Sequence, residues 1–348
     1  MYTREILPPR ETPIEDGRPL AGTWTKPFNE VNLLSIRQPY IIPVPWWLRD
    51  QRIKEWESFI VQDEHYYLDA LFCNLKLYRI VKIFLYNKDT KEQAFFRKKI
   101  PFRGWHLPRQ LANSSIDHRS NGFFFRIHNW LEANLIRLDL DIAASRKRPS
   151  FTAHLEYDMA GPVEPMVVSL LFSGSRSMYA YKAMGSVRGD MVMGGRHIVF
   201  DPARTSGIVC DFKGFYPYRM HSVWCSTLGF DAGGRRYGFS LGENQTRETY
   251  TNNENALWIE GRLTPLPPVR ITYPEGPELE WIIQDTEGMV DLSFTPALPV
   301  KDGLNLILIH AEQYTCLGLF NGFLLNSKGE RIQVHNLWGL GEIFSVRI

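Results

Sequence analysis

The feature that most constrains this chain is a two-residue alternation of apolar and polar side chains that recurs along it. From 134 to 142, Ile136, Leu138, Leu140 and Ile142 fall on one side, and Arg137, Asp139 and Asp141 on the other. From 151 to 157, Phe151, Ala153, Leu155 and Tyr157 oppose Thr152, His154 and Glu156; from 289 to 294, Val290, Leu292 and Phe294 oppose Asp291 and Ser293. Successive side chains of a strand point to opposite faces, so each set describes a strand with one buried face, and no helix buries those sets together. Turn residues separate the runs. Asn87-Lys88-Asp89-Thr90 lies between 77–86 and 92–97, and Asp231-Ala232-Gly233-Gly234, Glu260-Gly261, Asp285-Thr286-Glu287-Gly288 and Asn326-Ser327-Lys328-Gly329 fall between later runs. Gly, Asn and Asp accept the positive φ that tight hairpins require. Roughly eighteen to twenty strands follow from this reading, with helix confined to short stretches near 108–113 and 201–206. The fold class is all-β and antiparallel.

So many strands in one open sheet leave long unpaired edges, which proteins avoid by closing barrels or packing two sheets. The 348 residues, 44% apolar and 13% aromatic, exceed one ordinary sandwich and suffice for a sizeable core. Two barrels or sandwiches in tandem are expected. Residues 1–45, rich in Pro and carrying Trp24, Phe28 and Tyr40, read as an extended arm packed over them. A first domain over 46–158 and a second over 159–348 divide near Asp158-Met159-Ala160-Gly161-Pro162.

Charge and leader sequences narrow the function classes. Forty Lys and Arg against 38 Asp and Glu leave a net charge of +2, with no basic stripe for a phosphate backbone, so nucleic acid is not an expected partner. Arg146-Lys147-Arg148, followed by Pro149, reads as a solvated turn. Met1–Glu5 runs into Pro and charge rather than an apolar leader. Apolar runs such as Met166–Phe172 are too short to cross a bilayer, so no integral membrane segment and a cytoplasmic location are expected. Cys73, Cys210, Cys225 and Cys316 lack Cys-x-x-Cys spacing and read as free thiols. The nine histidines show no metal spacing, and His221, His310 and His335 read as core or surface residues. No nucleophile elbow, phosphate loop or dinucleotide fingerprint occurs, and no cofactor is expected. Oligomeric state is not set by the sequence.

Two stretches concentrate polar chemistry. From Gly207 to Trp224, Asp211, Lys213, Tyr216, Tyr218, Arg219, His221 and Trp224 crowd together. They describe a barrel-mouth site in which a carboxylate and phenols act as acid and base beside a fixed Arg. The alternative is an aromatic plug with an Arg–Asp pair capping the barrel, since buried charges are usually paired for structural reasons. The block Gly242–Asn255 is long for a hairpin loop and carries Glu243, Glu248 and Glu254 among asparagines. Glu254 and Asn255 adjoin Ala256-Leu257-Trp258, close to the core, and are favoured over Glu248. The candidate catalytic residues are therefore Asp211, Glu254, Tyr218 and Arg219; Tyr216, His221, Trp224, Glu243, Asn255 and Trp258 are candidate ligand contacts. Ten tryptophans, among them Trp105, serve an apolar pocket or, more blandly, the core. Lys182, on a strand apolar on both faces (Met178–Met184), is a barrel-interior lysine or, more commonly, an edge lysine reaching solvent.

Several of these motifs together resemble the bacterial family known as domain of unknown function 2804. They are Thr23-Trp24-Thr25-Lys26-Pro27, Arg52-Ile53-Lys54-Glu55-Trp56-Glu57, Phe200-Asp201-Pro202, Tyr216-Pro217-Tyr218-Arg219 with Asp211 and Gly214, Glu254 to Arg262, and Asp291-Leu292-Ser293-Phe294-Thr295-Pro296. The likeness runs nearly end to end; where the family often has Asp-Trp-Gly-Arg-Gly, this chain has Asp211-Phe212-Lys213-Gly214. The family in turn is distantly similar to tandem lipocalin-like proteins that include carotenoid hydratases, tocopherol cyclase and fungal Diels–Alder cyclases. That resemblance implies paired lipocalin-like barrels holding an apolar small molecule. Three readings follow, and whether the chain is an enzyme stays open among them. The first is a cofactor-independent lyase, hydratase or isomerase on a terpenoid- or lipid-like substrate, with Asp211 or Glu254 as proton donor. The second is a non-catalytic carrier of hydrophobic ligands. The third is a carbohydrate-active enzyme whose paired carboxylates stand about 5 Å or roughly 6.5–9.5 Å apart.

Overall fold

Strands account for nearly all regular structure in the computed structural model, which describes residues 1–40, 42–76, 78–101, 107–146, 148–305 and 310–347. The expectations for Leu77, Trp105 and Lys147, and for the side chain of His310, lie outside the described residues. The arm contributes a two-stranded hairpin, β1 (Ile14–Glu15) and β2 (Arg18–Pro19), and then β3 (Gly22–Trp24). The first large sheet takes β3 to β15: β4 (Ile53–Gln62), β5 (Tyr66–Asn74), β6 (Tyr78–Asn87), β7 (Gln93–Pro101), β8 (Ser114–Ser120), β9 (Phe123–Trp130), β10 (Leu135–Ile142), β11 (Phe151–Asp158), β12 (Met166–Ser173), β13 (Arg176–Met193), β14 (Arg196–Phe200) and β15 (Ser206–Phe215). The second takes β16 (Arg219–Phe230), β17 (Arg236–Glu243), β18 (Ala256–Ile259), β19 (Arg262–Pro265), β20 (Val269–Thr272), β21 (Trp281–Asp285), β22 (Val290–Asn305), β23 (His310–Leu325) and β24 (Arg331–Arg347). Their orders are β7-β6-β5-β4-β15-β13-β11-β10-β9-β8 and β19-β18-β17-β16-β24-β23-β22-β21-β20, and each sheet curls into an antiparallel half-barrel.

The alternating runs lie as expected: Ile136, Leu138, Leu140 and Ile142 are buried on β10, Phe151, Ala153, Leu155 and Tyr157 on β11, and Val290, Leu292 and Phe294 on β22. The turns also carry their residues: Asn87 Oδ1 accepts from Asp89 N and Thr90 N, both at 2.9 Å, and Glu260 and Gly261 both take positive φ. Strand pairing passes from the first sheet to the second at Tyr216–Tyr218, and Asp158–Pro162 lies between β11 and β12 of the first sheet. The helix expectations are corrected. Residues 201–206 form a turn rather than a helix, with Asp201 Oδ1 accepting from Ala203 N at 2.9 Å, and 108–113 is likewise non-helical. Among the described residues an α-helix forms at α1 (Trp46–Arg52), directly after Pro45, whose fixed φ suits a helix start.

Three cores result. One fills the first half-barrel, one the second, and the third lies between the sheets, where Ile208, Cys210 and Phe212 of β15 meet Trp258, Leu317 and Val346. Every residue of β15 is buried, so this strand has core on both faces. The arm joins both halves. Trp24 and Phe28 sit in the first core, whereas Tyr2 sits in the second. The Tyr2 hydroxyl donates to Tyr250 O at 2.6 Å, and Arg4 donates to Asn253 Oδ1 at 3.0 Å and Asn255 O at 3.2 Å.

Candidate functional site

Trp56 and Ile60 of β4, Met178, Ala180 and Met184 of β13, and Ile208, Cys210 and Phe212 of β15 point toward the second sheet, and two polar centres stand in that mostly apolar seam. The first is built on Lys182, wholly buried on β13. Its Nζ lies 2.7 Å from Glu254 Oε2 and donates to Ser240 Oγ at 2.8 Å. Ser240 Oγ also accepts from Trp224 Nε1 at 2.9 Å, and Glu254 Oε1 accepts from Asn244 Nδ2 at 2.9 Å. The ammonium lies 5.4 Å from the centre of the Phe212 ring and 5.8 Å from that of Trp224, so aromatic faces supply part of its solvation. Trp56 stacks on Phe212 and on Tyr216, whose hydroxyl is buried with no hydrogen-bond partner among the described residues. Gly214 makes that stack possible, because a Cβ there meets the Tyr216 ring at 2.7 Å. Gly214→Val is therefore expected to displace Tyr216 and to destabilise the fold by about 1–3 kcal/mol, read as a lower urea midpoint at unchanged slope.

The second centre lies where β5–β7 face β22–β24, around a cavity of about 170 Å³. Leu71, Phe84, Leu298, Leu317 and Leu340 give it apolar walls, and Asp69, Lys82, Gln313, Thr315 and Glu342 bring polar groups to it. Thr315 Oγ1 donates to Glu342 Oε1 at 2.7 Å, Gln313 Nε2 donates to the same oxygen, and Lys82 Nζ donates to Gln313 Oε1 at 3.0 Å. Asp69 Oδ1 is buried and has no hydrogen-bond partner among the described residues. Burial first, and then the Glu342 carboxylate, push the Asp69 carboxyl up to about 7, against the pull of Lys82. Glu342 pairs in register with Trp224, which links the two centres along one face.

A separate cluster faces the interior of the first half-barrel. Asp211 accepts from Lys213 Nζ at 2.6 and 2.9 Å. Its cross-strand neighbour Glu57 accepts from Asn129 Nδ2 at 2.9 Å, and burial, then Asp211, push Glu57 up to about 8. Lys76 pairs with Asp50 of α1 at 3.1 Å and with Glu55 at 3.0 Å, closing that end. Burial holds the thiols of Cys73 and Cys210 up at about 12, so neither is a thiolate nucleophile near neutral pH. All four cysteines are free.

The sequence pattern of the family described as Domain of unknown function (DUF2804) matches residues 3–347. The chain belongs to the DUF2804 family. Comparison of this DUF2804 chain with curated proteins returned no match. Among solved structures it is similar to CghA with Sch210972, at 10% identity over 86% of this chain and 89% of that one, with a TM-score of 0.54. A second CghA structure gives 0.52 at the same identity and coverage. Kievitone hydratase from Nectria haematococca gives 0.48 at 14% identity over 84% and 88%. The likeness to CghA shows a shared fold.

Within the DUF2804 chain, Glu254, Tyr216 and Trp224 come together around Lys182. Lys182 is thus an inter-sheet residue, not an edge lysine reaching solvent. Asp211 belongs to the opposite face, since Lys182 pairs in register with Cys210 and Tyr181 with Asp211. The Arg–Asp pair weighed as a barrel cap does not form: Asp211 pairs with Lys213, whereas Tyr218 and Arg219 are exposed where the second sheet begins. His221 is exposed on β16, with Nδ1 2.9 Å from Ser345 Oγ. Glu243 holds Arg270 at 2.6 Å and accepts from Ile271 N at 2.8 Å, pinning β20. Asn255 staples Gly242 N at 2.7 Å to Pro267 O at 2.8 Å, and the wholly buried Trp258 donates to Glu164 O at 2.9 Å. Sequence reasoning passed over Asp69, Glu57 and Glu342. Asp69 had a usable mark, being a lone carboxylate within Tyr66-Tyr67-Leu68-Asp69-Ala70-Leu71-Phe72.

Proposed function

We propose that this protein admits the end of a small, mainly apolar molecule between its two sheets and transfers a proton to it without a cofactor, as a hydratase, lyase or isomerase does. The observation that carries the reading is Asp69. It is a carboxyl held near neutrality, with an unengaged buried oxygen, at a cavity of mixed apolar and polar lining between two packed half-barrels. An acid with a pKa near the working pH combines proton-transfer drive with a useful protonated fraction. Glu254 and Asp211 are less suited as donors, because each is held by a lysine. Lys82, Thr315 and Glu342 would orient a polar group beside Asp69. The cavity takes a group about the size of one benzene ring, so a longer substrate enters by its end. The fold is shared with CghA, whose structure holds Sch210972. Paired-carboxylate chemistry on a sugar is disfavoured, since Asp211 faces the interior of the first half-barrel, whereas Glu254, from the β17–β18 loop, meets Lys182 on the other side of the first sheet.

The test starts from the molecule retained by protein purified from its host, identified by native mass spectrometry. That molecule is then incubated with protein in deuterated solvent. Deuterium incorporation or addition of water is expected with the native chain, with a rate that falls as pH rises through about 7. Asp69→Asn is expected to slow it by about 10²–10⁴-fold while the molecule stays bound. A bound molecule that exchanges nothing in either chain supports a carrier instead.

A further inference from the structure

A second binding feature lies on the other face of the second sheet. Arg219 of β16 pairs in register with Arg347 of β24, so two guanidinium side chains project side by side from antiparallel strands. Like charges placed directly opposite destabilise a sheet unless something lies between them. Neither arginine makes an ion pair among the described residues, and Arg347 Nε is buried without a partner. Two positions along, His221 faces Ser345 across the same pair of strands. The His221 backbone N–H holds the Gln245 side-chain oxygen at 3.3 Å, which leaves that amide nitrogen as a donor. These five residues, with Met220 and Val346, line an open groove of about 550 Å³, and none of its described lining residues carries a carboxylate side chain. Glu312, opposite Ser345 on β23, does not line it. The side chains next along this face, Val223 and Ile343, belong to the apolar interior of the second half-barrel.

We propose that this groove is a binding site for an organic acid, in which Arg219 and Arg347 take the carboxylate and an apolar body extends toward Val223 and Ile343. Paired guanidiniums fit a planar carboxylate bidentately, and Ser345 and Gln245 supply further donors. The site is distinct from the inter-sheet cavity, with which it shares no lining residue. The full chain is titrated calorimetrically with decanoate, with decanol and inorganic phosphate as comparisons. Saturable decanoate binding is expected, weakened by added salt and weakened about tenfold or more in Arg219→Gln and in Arg347→Gln alike. Arg219→Lys, which keeps the charge but not the fork, is expected to fall between. Absence of saturable binding, or equal binding by both glutamine variants and the native chain, overturns the proposal. Decanol binding as tightly as decanoate removes the role of the arginines, and phosphate binding as tightly reduces the groove to a plain oxyanion patch; either result also overturns it.

Discussion

Replacing Glu57 with glutamine is expected to make the protein more stable than the native chain by about 4 kcal/mol near pH 9, and to leave the two nearly equal near pH 4. Glu57 is raised from 4.5 to about 8, chiefly by burial. Between those values the folded state keeps a proton that the unfolded state releases. Stability from this group is therefore full below about pH 4.5 and declines as pH rises toward 8, where the folded carboxyl also ionises. Glutamine has the shape of the neutral acid and retains an oxygen for the Asn129 amide. It also removes the repulsion that Asp211 would feel from an ionised neighbour. Urea midpoints from acid to alkaline pH check this; parallel curves for the two chains would mean that Glu57 ionises as freely when folded as when unfolded.

Lys182→Met is expected to cost about 3–5 kcal/mol, because it leaves the Glu254 carboxylate buried without its counter-charge. Lys182→Met combined with Glu254→Gln is expected to recover most of that loss, since the double variant strands no charge and Asn244 still has an oxygen to bond. The rest of the cluster supports this outcome: Trp224 keeps its bond to Ser240, and the aromatic faces of Phe212 and Trp224 pack against a thioether as readily as against an alkyl-ammonium. Guanidinium titrations of the native chain, Lys182→Met, Glu254→Gln and the double variant make a double-mutant cycle. Costs that simply add across the cycle would show that Lys182 and Glu254 contribute independently, against the contact at 2.7 Å.

The strands and turns were legible because their marks are local. Ile136 to Ile142 alternate on one strand, and Asn87 or Glu260-Gly261 shape a turn from within a few residues. The sheet order was not, because β15 pairs with β4 and β13 through contacts that no short window contains. Burial on both faces also removed alternation from 206–215, so Asp211 read as one site with Tyr216 and Trp224 although Asp211 faces the first half-barrel and the other two the seam between the sheets. Lys182 shows the same limit: a strand apolar on both faces reads alike whether its second face meets solvent or another sheet. Glu254, Tyr216 and Trp224 were singled out through crowding in sequence, and the fold brings them near Lys182. Asp69 was missed because what raises its carboxyl, the cover of a second sheet and the Glu342 carboxylate, comes from the far end of the chain. The turn at 201–206 was misread because Asp201 bonds a backbone N–H two residues on, a competitor to helix that spacing alone does not expose.

The fastening of Tyr2 and Arg4 onto residues 250–255 has a consequence for how the molecule assembles. These contacts span 248 to 251 residues, and closing so long a loop is rewarded only after both sheets exist to receive it. Docking of Tyr2 and Arg4 is therefore an expected late step, checked by whether their amides gain protection after those of the sheets in pulsed hydrogen exchange. Once docked, these residues tie the chain into a ring in which Trp24 and Phe28 grip one half and Tyr2 the other, so releasing a handful of terminal residues loosens the hold of each sheet on its neighbour.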